Sequence, residues 1–207
     1  TFGNYQAGIK LLFSTYTTVL GNILNGGATV SGTSYNGIWL IDSSYNSLID
    51  NVAYNGNYGI YIMRGNTNSI SGNNATSNSY GIYLTSSNNN NIADNKIISD
   101  GSGVTLSSSS NSNTVTKNIV NSCNNGISIV SSTGNSITGN NASNNTHTGI
   151  SLSNSGNNII ADNNASVNGI TINYPTGTGI NVNGGDGNNF VGNTVNSNGL
   201  YGIYIYS

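Results

Sequence analysis

Residues 81–100, GIYLTSSNNNNIADNKIISD, read as one complete turn of a parallel β-helix. Ile82-Tyr83-Leu84 alternates, placing two apolar side chains on one face of a short strand. Thr85 to Asn89 forms a polar corner. Asn90-Asn91-Ile92 sends one apolar residue back inward, Ala93-Asp94-Asn95 turns the chain again, and Lys96-Ile97-Ile98 supplies a third short strand. Strands this short cannot make a core alone, so the unit requires a copy above and a copy below.

The copies are present. Gly-apolar-x-apolar units begin at Gly8, Gly37, Gly59, Gly81, Gly103, Gly126, Gly149, Gly179 and Gly202, 22 or 23 residues apart in the regular rungs. Aligned on these glycines, three inward columns appear. The first is paired, from Ile9/Leu11 through Ile38/Leu40, Ile60/Ile62 and Ile82/Leu84 to Ile203/Ile205. The second runs Val19, Leu48, Ile70, Ile92, Val115, Ile137, Ile160, Phe190. The third runs Leu24, Ala53, Ala75, Ile97, Val120, Ala142, Ala165, Val195. The pattern predicts one all-β solenoid domain over residues 1–207, about eight rungs of three short strands each. Extra residues fall near 26–34 and 169–175 as rung insertions. The abundance of Gly, Asn and Ser and the lack of helical periodicity exclude helical solenoids.

A fourth column marks a corner: Asn22, Asn51, Asn73, Asn95, Asn118, Asn140, Asn163 and Asn193. Asn tolerates a left-handed backbone and bonds locally, so these residues are expected to make the tight turn. At the strand spacing of about 4.8 Å, their amides are also expected to bond from rung to rung as a ladder.

Composition sets further bounds. Only 5% of the 207 residues are charged and the net charge is −2. Lys10, Arg64, Lys96 and Lys117 make no basic face, which excludes nucleic acid as a partner. No apolar run approaches the length needed to insert into a membrane. A single cysteine, Cys123, excludes an internal disulfide.

Repeats of the form GIx(L/I)xxSxxNxIxxN, as in Gly81 to Asn95 and Gly126 to Asn140, resemble those of the NosD-like family and of archaeal cell-surface β-helix proteins. The resemblance covers nearly the whole chain and implies a right-handed parallel β-helix. The same fold carries pectate lyases, polygalacturonases, alginate epimerases, phage tailspikes and surface adhesins, so function has to be argued from sites.

Acid–base chemistry needs paired groups whose environments separate their pKa values. The chain has no Glu, and its aspartates are Asp42, Asp50, Asp94, Asp100, Asp162 and Asp186. Asp50, Asp94 and Asp162 share a register but lie about 10 and 14 Å apart, too far for a compact pair. Asp94/Lys117 and Asp42/Arg64 fall on adjacent rungs and read as surface ion pairs. Asp42/Arg64, just after the first strand, is the better catalytic candidate of the two. His147 lacks a partner in sequence. His147, Cys123 and Met63 make no copper set despite the NosD resemblance. Gly184 to Asn188 holds one carboxylate, Asp186, too few for calcium. No catalytic residue, metal site or cofactor is expected.

The outward face of the first strand is richer. Trp39, Tyr61 and Tyr83 form a ladder over three rungs, flanked by Tyr58 and Tyr80, and suit either sugar rings or a protein partner. Sequons at Asn74, Asn141, Asn144 and Asn164 are candidate N-glycosylation sites and point outside the cell. Together these features predict a non-enzymatic, extracellular structural or adhesive solenoid of the cell surface. Ile9 and Leu11 at one end and Ile203 and Ile205 at the other would stack copies of the chain head-to-tail into a filament. The alternative is a polysaccharide-binding or polysaccharide-modifying module, with glycans as partners of the Trp39/Tyr61/Tyr83 face.

Overall fold

The computed structural model describes residues 6–26, 35–170 and 176–206. Every regular element among them is a strand, and the strands form three parallel sheets of nine, eight and five members. Each of the first five rungs contributes one strand to each sheet. In the rung that opened the sequence reading these are Tyr80–Thr85, Asn91–Ala93 and Lys96–Ile98. The third sheet continues through single bridges that link Ile119, Asn141, Asn164 and Thr194. The result is a right-handed β-solenoid, the hand that parallel crossovers favour. Most of the expected insertions, residues 27–34 and 171–175, lie outside the described residues.

The register follows the sequence columns. Tyr83 pairs with Tyr61 on one side and Thr105 on the other, and Ile92 lies between Ile70 and Val115. The inward columns are sealed: Ile38, Leu40, Ile62, Ile70, Ile82, Leu84, Ile92 and Ile97 are all fully buried. In the last described strand, Tyr201–Tyr206, the same inward columns are open, with Ile203 42% and Ile205 59% exposed. Glycine heads the long strand because the chain bends there onto the third column. A Cβ on Gly81 would collide with the Ile97 side chain and the Gly103 carbonyl.

The corner asparagines form the expected ladder, with one change in role. Asn51 Nδ2 donates to Asn73 Oδ1 at 3.0 Å, Asn73 to Asn95 at 3.0 Å, Asn95 to Asn118 at 2.9 Å and Asn118 to Asn140 at 2.9 Å. Each backbone N–H donates to the same oxygen, as Asn95 does to Asn118. The second amide hydrogen reaches a carbonyl of the rung below, as from Asn118 Nδ2 to Ile92 at 2.9 Å. All four capacities of the amide are thereby filled although Asn118 is fully buried. These asparagines do not themselves take the left-handed turn. That belongs to the preceding residue, with φ of 52° at Asp50, 55° at Asp94, 55° at Lys117 and 55° at Asp162, and glycine at 72, 139 and 192. The amide is needed inward for bonding, so its neighbour turns the corner.

Two further columns repeat the device. Asn46, Asn68, Asn90, Asn113, Asn135, Asn158 and Asn188 form a second buried ladder, with links of 3.0 to 3.2 Å. Three residues before each of several of these, a serine bonds the rung below: Ser87 Oγ accepts from the Gly65 N–H and donates to the Thr85 carbonyl. At the third corner the column is mixed: Asn78, Asp100, Cys123, Asn145, Asn168, Asn198. Gly184, Gly185 and Gly187 all turn with positive φ, and Asn188 belongs to the second ladder. The Gly-rich stretch is therefore a corner, with Asp186 exposed.

Candidate functional site

The outward face of the first sheet gathers the chemistry-bearing side chains. The alternation that buries Ile60 and Ile62 turns Tyr61 outward. The glycine bend brings Tyr58 onto the same side, with its ring stacked on Tyr61 at a 4.5 Å centroid distance. Trp39 and Tyr61 lie parallel at 5.9 Å and 7°, and Tyr58 stacks on Tyr80 at 5.1 Å. Tyr83 meets Tyr61 edge-on at 5.6 Å, and its hydroxyl bonds Ser107 Oγ at 2.8 Å. The five rings Trp39, Tyr58, Tyr61, Tyr80 and Tyr83 thus make one continuous half-buried surface. Lys10, one rung below in the same column, carries its ammonium 4.5 Å above the Trp39 ring, a cation–π contact.

Asp42 and Arg64 border this surface. Both sit at the left-handed position after the long strand, with φ of 48° and 53°. Arg64 Nε donates to Asp42 Oδ1 at 2.7 Å and Nη2 to Oδ2 at 2.8 Å, a two-pronged bridge. The hydrogen bond from Arg64 holds the Asp42 carboxyl below its ordinary range, and the same bond raises the guanidinium. Burial pushes the Tyr61 and Tyr58 hydroxyls up, so both stay protonated at neutral pH. The set can stack on a ring, donate hydrogen bonds and supply a phenolic proton. Asp42, paired and weakly basic, is its one carboxylate.

The other sequence candidates lie elsewhere. Asp94 and Lys117 form no ion pair; the bridge within 4 Å among the described residues is Arg64–Asp42. His147 is exposed at the third corner, its ring 3.2 Å from Thr146 Oγ1. Met63 accepts from the Tyr61 hydroxyl at 3.6 Å. Cys123 is buried, its thiol pushed up to about 12 by burial. No three His, Cys, Asp or Glu side chains converge among the described residues. The sequon asparagines Asn74, Asn141 and Asn164 stand on outward positions of the third sheet, and Asn144 is exposed beside them. Thr76 Oγ1 donates to Asn74 Oδ1 at 3.0 Å and Ser143 Oγ to Asn141 Oδ1 at 2.6 Å. Glycans attached there would leave the first sheet open.

Sequence reasoning left Lys10 and a second group of rings out of the interaction face. Lys10 shares the aromatic column, and that shared register was the available signal. Tyr201, Tyr204 and Tyr206 form a second aromatic group on the last described strand, with centroids 4.7 and 4.8 Å apart. The alternation in YGIYIY was the signal for it.

A right-handed solenoid of stacked parallel sheets defines the class of β-helix proteins. The chain belongs to the family described as right-handed beta helix region, whose model matches residues 1–142 and 100–207. No curated protein sequence matches it. Among solved structures, it is similar to the A-module of the mannuronan C-5 epimerase AlgE6 from Azotobacter vinelandii. The TM-score there is 0.83 and the identity 13%, over 97% of this chain and 57% of that one. It is also similar to the Dettilon tailspike protein gp208, with a TM-score of 0.74 and 19% identity over 92% and 47%. The periplasmic alginate epimerase AlgG matches with a TM-score of 0.57 and 20% identity over 84% and 51%. The chain spans about half the length of these proteins, and at such identities the likeness is one of fold.

These structures correct the expectation that the chain is not an enzyme. That expectation rested on the lack of a carboxylate cluster, yet the fold it shares includes two epimerases. The described residues place a tyrosine, an arginine and one aspartate on a single face.

Proposed function

We propose that the chain is a polysaccharide-binding or polysaccharide-modifying β-helix module, working on the outward face of its first sheet. The observation that carries this reading is the continuous surface of Trp39, Tyr58, Tyr61, Tyr80 and Tyr83 bordered by Arg64 and Asp42. Aromatic faces stack on the C–H faces of sugar rings, and a flat parallel sheet offers them at the rung repeat. Chemistry on a bound chain falls to Tyr61 as proton donor, with Arg64 and Asp42 as orienting groups. It replaces the expectation of a non-enzymatic structural or adhesive solenoid, because stacking alone does not require a lysine and an ion pair grouped at the rings. An extracellular or cell-surface setting is part of the proposal, supported by the periplasmic epimerase and the tailspike among proteins of like fold.

Replacing Trp39, Tyr61 and Tyr83 together with Ser tests it by affinity electrophoresis in gels that contain soluble polysaccharides. At about 1 kcal/mol for each aromatic contact, the triple variant should bind roughly a hundredfold more weakly. The circular dichroism spectrum should stay that of the parent. Equal retardation of parent and variant in every gel would remove the basis of the proposal.

A further inference from the structure

Past the rings of Tyr80 and Tyr83 the outward face of the first sheet changes character. Four strands follow, Ser102–Ser107, Asn125–Val130, Thr148–Ser153 and Thr178–Asn183, before the rings of Tyr201, Tyr204 and Tyr206. Their central outward column is Thr105, Ser128, Ser151 and Asn181, in direct register with Tyr83 at one end and Tyr204 at the other. Five rung steps of about 4.8 Å separate those two tyrosines, so the small side chains floor a trough about 24 Å long between two aromatic ends.

Two further properties of the trough point to a ligand and to its class. The first is unmet hydrogen bonding. Ser128 and Ser151 bond each other at 3.0 Å, but Thr105 Oγ1 and Asn181 Oδ1, at the two ends of the floor, have no partner. Thr105 is 6% exposed. Of the five unpartnered buried side-chain atoms among the described residues, these two, Trp39 Nε1 and Asn36 Oδ1 all belong to this one sheet. Buried polar atoms normally find partners, so the two on this floor mark where a partner is missing. The second property is charge. The four floor strands contain no Asp, Glu, Lys, Arg or His. The cations of this sheet face, Lys10 and Arg64, stand beyond the aromatic rings, and Arg64 is already bound to Asp42. A polyacid laid on this floor would lose water from each carboxylate with no cation to replace it.

We propose that the trough binds an uncharged, unbranched polysaccharide lying along the stack, its end sugars on the two aromatic groups and its hydroxyls on Thr105 and Asn181. The proposal rests on the reading of this face as a glycan surface and adds the class of glycan and its path. Hydroxyl and amide groups match neutral sugar hydroxyls as donors and acceptors. The floor is one column of small hydroxyl and amide side chains, which suits a single unbranched chain.

Calorimetric titration of the full chain with hexasaccharides of cellulose, mannan, xylan and dextran, and with a polymannuronate hexamer, tests it. The expected result is binding of at least one neutral hexamer at least tenfold more tightly than the uronate. Its affinity should be nearly unchanged between about 0.01 and 1 M salt. The double variant Ser128→Tyr/Ser151→Tyr, which fills the floor from outside the core, should weaken that neutral hexamer at least tenfold. Thr105→Val, which keeps the shape and removes one hydroxyl, should weaken it severalfold. Preference for the uronate, or a neutral affinity that the filled floor leaves unchanged, would overturn this inference while leaving the aromatic surface as a glycan site. Failure of every saccharide to bind the folded parent would overturn the glycan reading itself.

Discussion

Replacing Ile92 by Asp should cost well over about 4 kcal/mol and leave little folded protein at room temperature. Ile92 is fully buried between Ile70 and Val115, and no cation lies in the core to meet a carboxylate. Each rung contacts only the rungs above and below, so a carboxylate at rung four interrupts the stack rather than denting one side of a globular core. Ile92→Val serves as the control, expected to cost only about 0.5–1.5 kcal/mol. Thermal melting followed by circular dichroism separates the two. A melting temperature for Ile92→Asp within a few degrees of the parent would show that the column does not face inward.

Asp100 gives the chain a pH dependence that Asp100→Asn should abolish. Asp100 occupies an asparagine position in the third corner column and is 4% exposed. Its Oδ1 accepts from the backbone N–H and the Nδ2 of Asn78, at 2.5 and 3.1 Å, but its Oδ2 is buried without a partner. In the same column, Asn78 Nδ2 donates to the Ala53 carbonyl at 3.1 Å and Asn145 Nδ2 to the Val120 carbonyl at 3.0 Å. The matching atom of Asp100 can play that part only when it carries a proton. Burial pushes the Asp100 carboxyl up to about 7, against the two hydrogen bonds from Asn78, which lower it. The neighbouring titratable group in the column is Cys123, uncharged in this range. An unfolded carboxyl releases its proton near about 3.9. The folded chain therefore holds more protons between these values. The contribution of Asp100 to stability is full below about pH 4 and is lost as pH rises to about 7, at up to roughly 1.4 kcal/mol per pH unit. Asp100→Asn should melt higher than the parent at pH 8, by an amount that shrinks toward pH 4. Parallel melting curves for the two proteins across that range would show that Asp100 is not held protonated.

Much of this was legible in the residues. A glycine every 22 or 23 residues, followed by two alternating apolar side chains, fixes three inward columns, because a rung has too few residues to close any other way. The same alignment put Trp39, Tyr61 and Tyr83 in one outward column and Asp42 one rung from Arg64, and the side chains do meet there. The Asn22-to-Asn193 column was equally plain, and its amide ladder is as expected, but the left-handed turn is not its task. Propensity links asparagine to left-handed turns, whereas here the bonding capacity of a buried amide outweighs it, and Asp50, Asp94 or Lys117 takes the strained backbone instead. The Asn46-to-Asn188 ladder escaped notice because its members read as ordinary corner residues until each is seen to be buried.

Sequence alone determined the architecture, since in a solenoid contacts repeat at a fixed offset and the repeat is visible in one dimension. Tertiary structure alone decided which polar residues are inside and what they lack. Asp100 and Thr105 look like surface residues in the chain and become buried groups with unmet bonds only when the neighbouring rungs close over them. Burial and hydrogen-bond satisfaction depend on atoms 20 or more residues away, and no local pattern of residues encodes them.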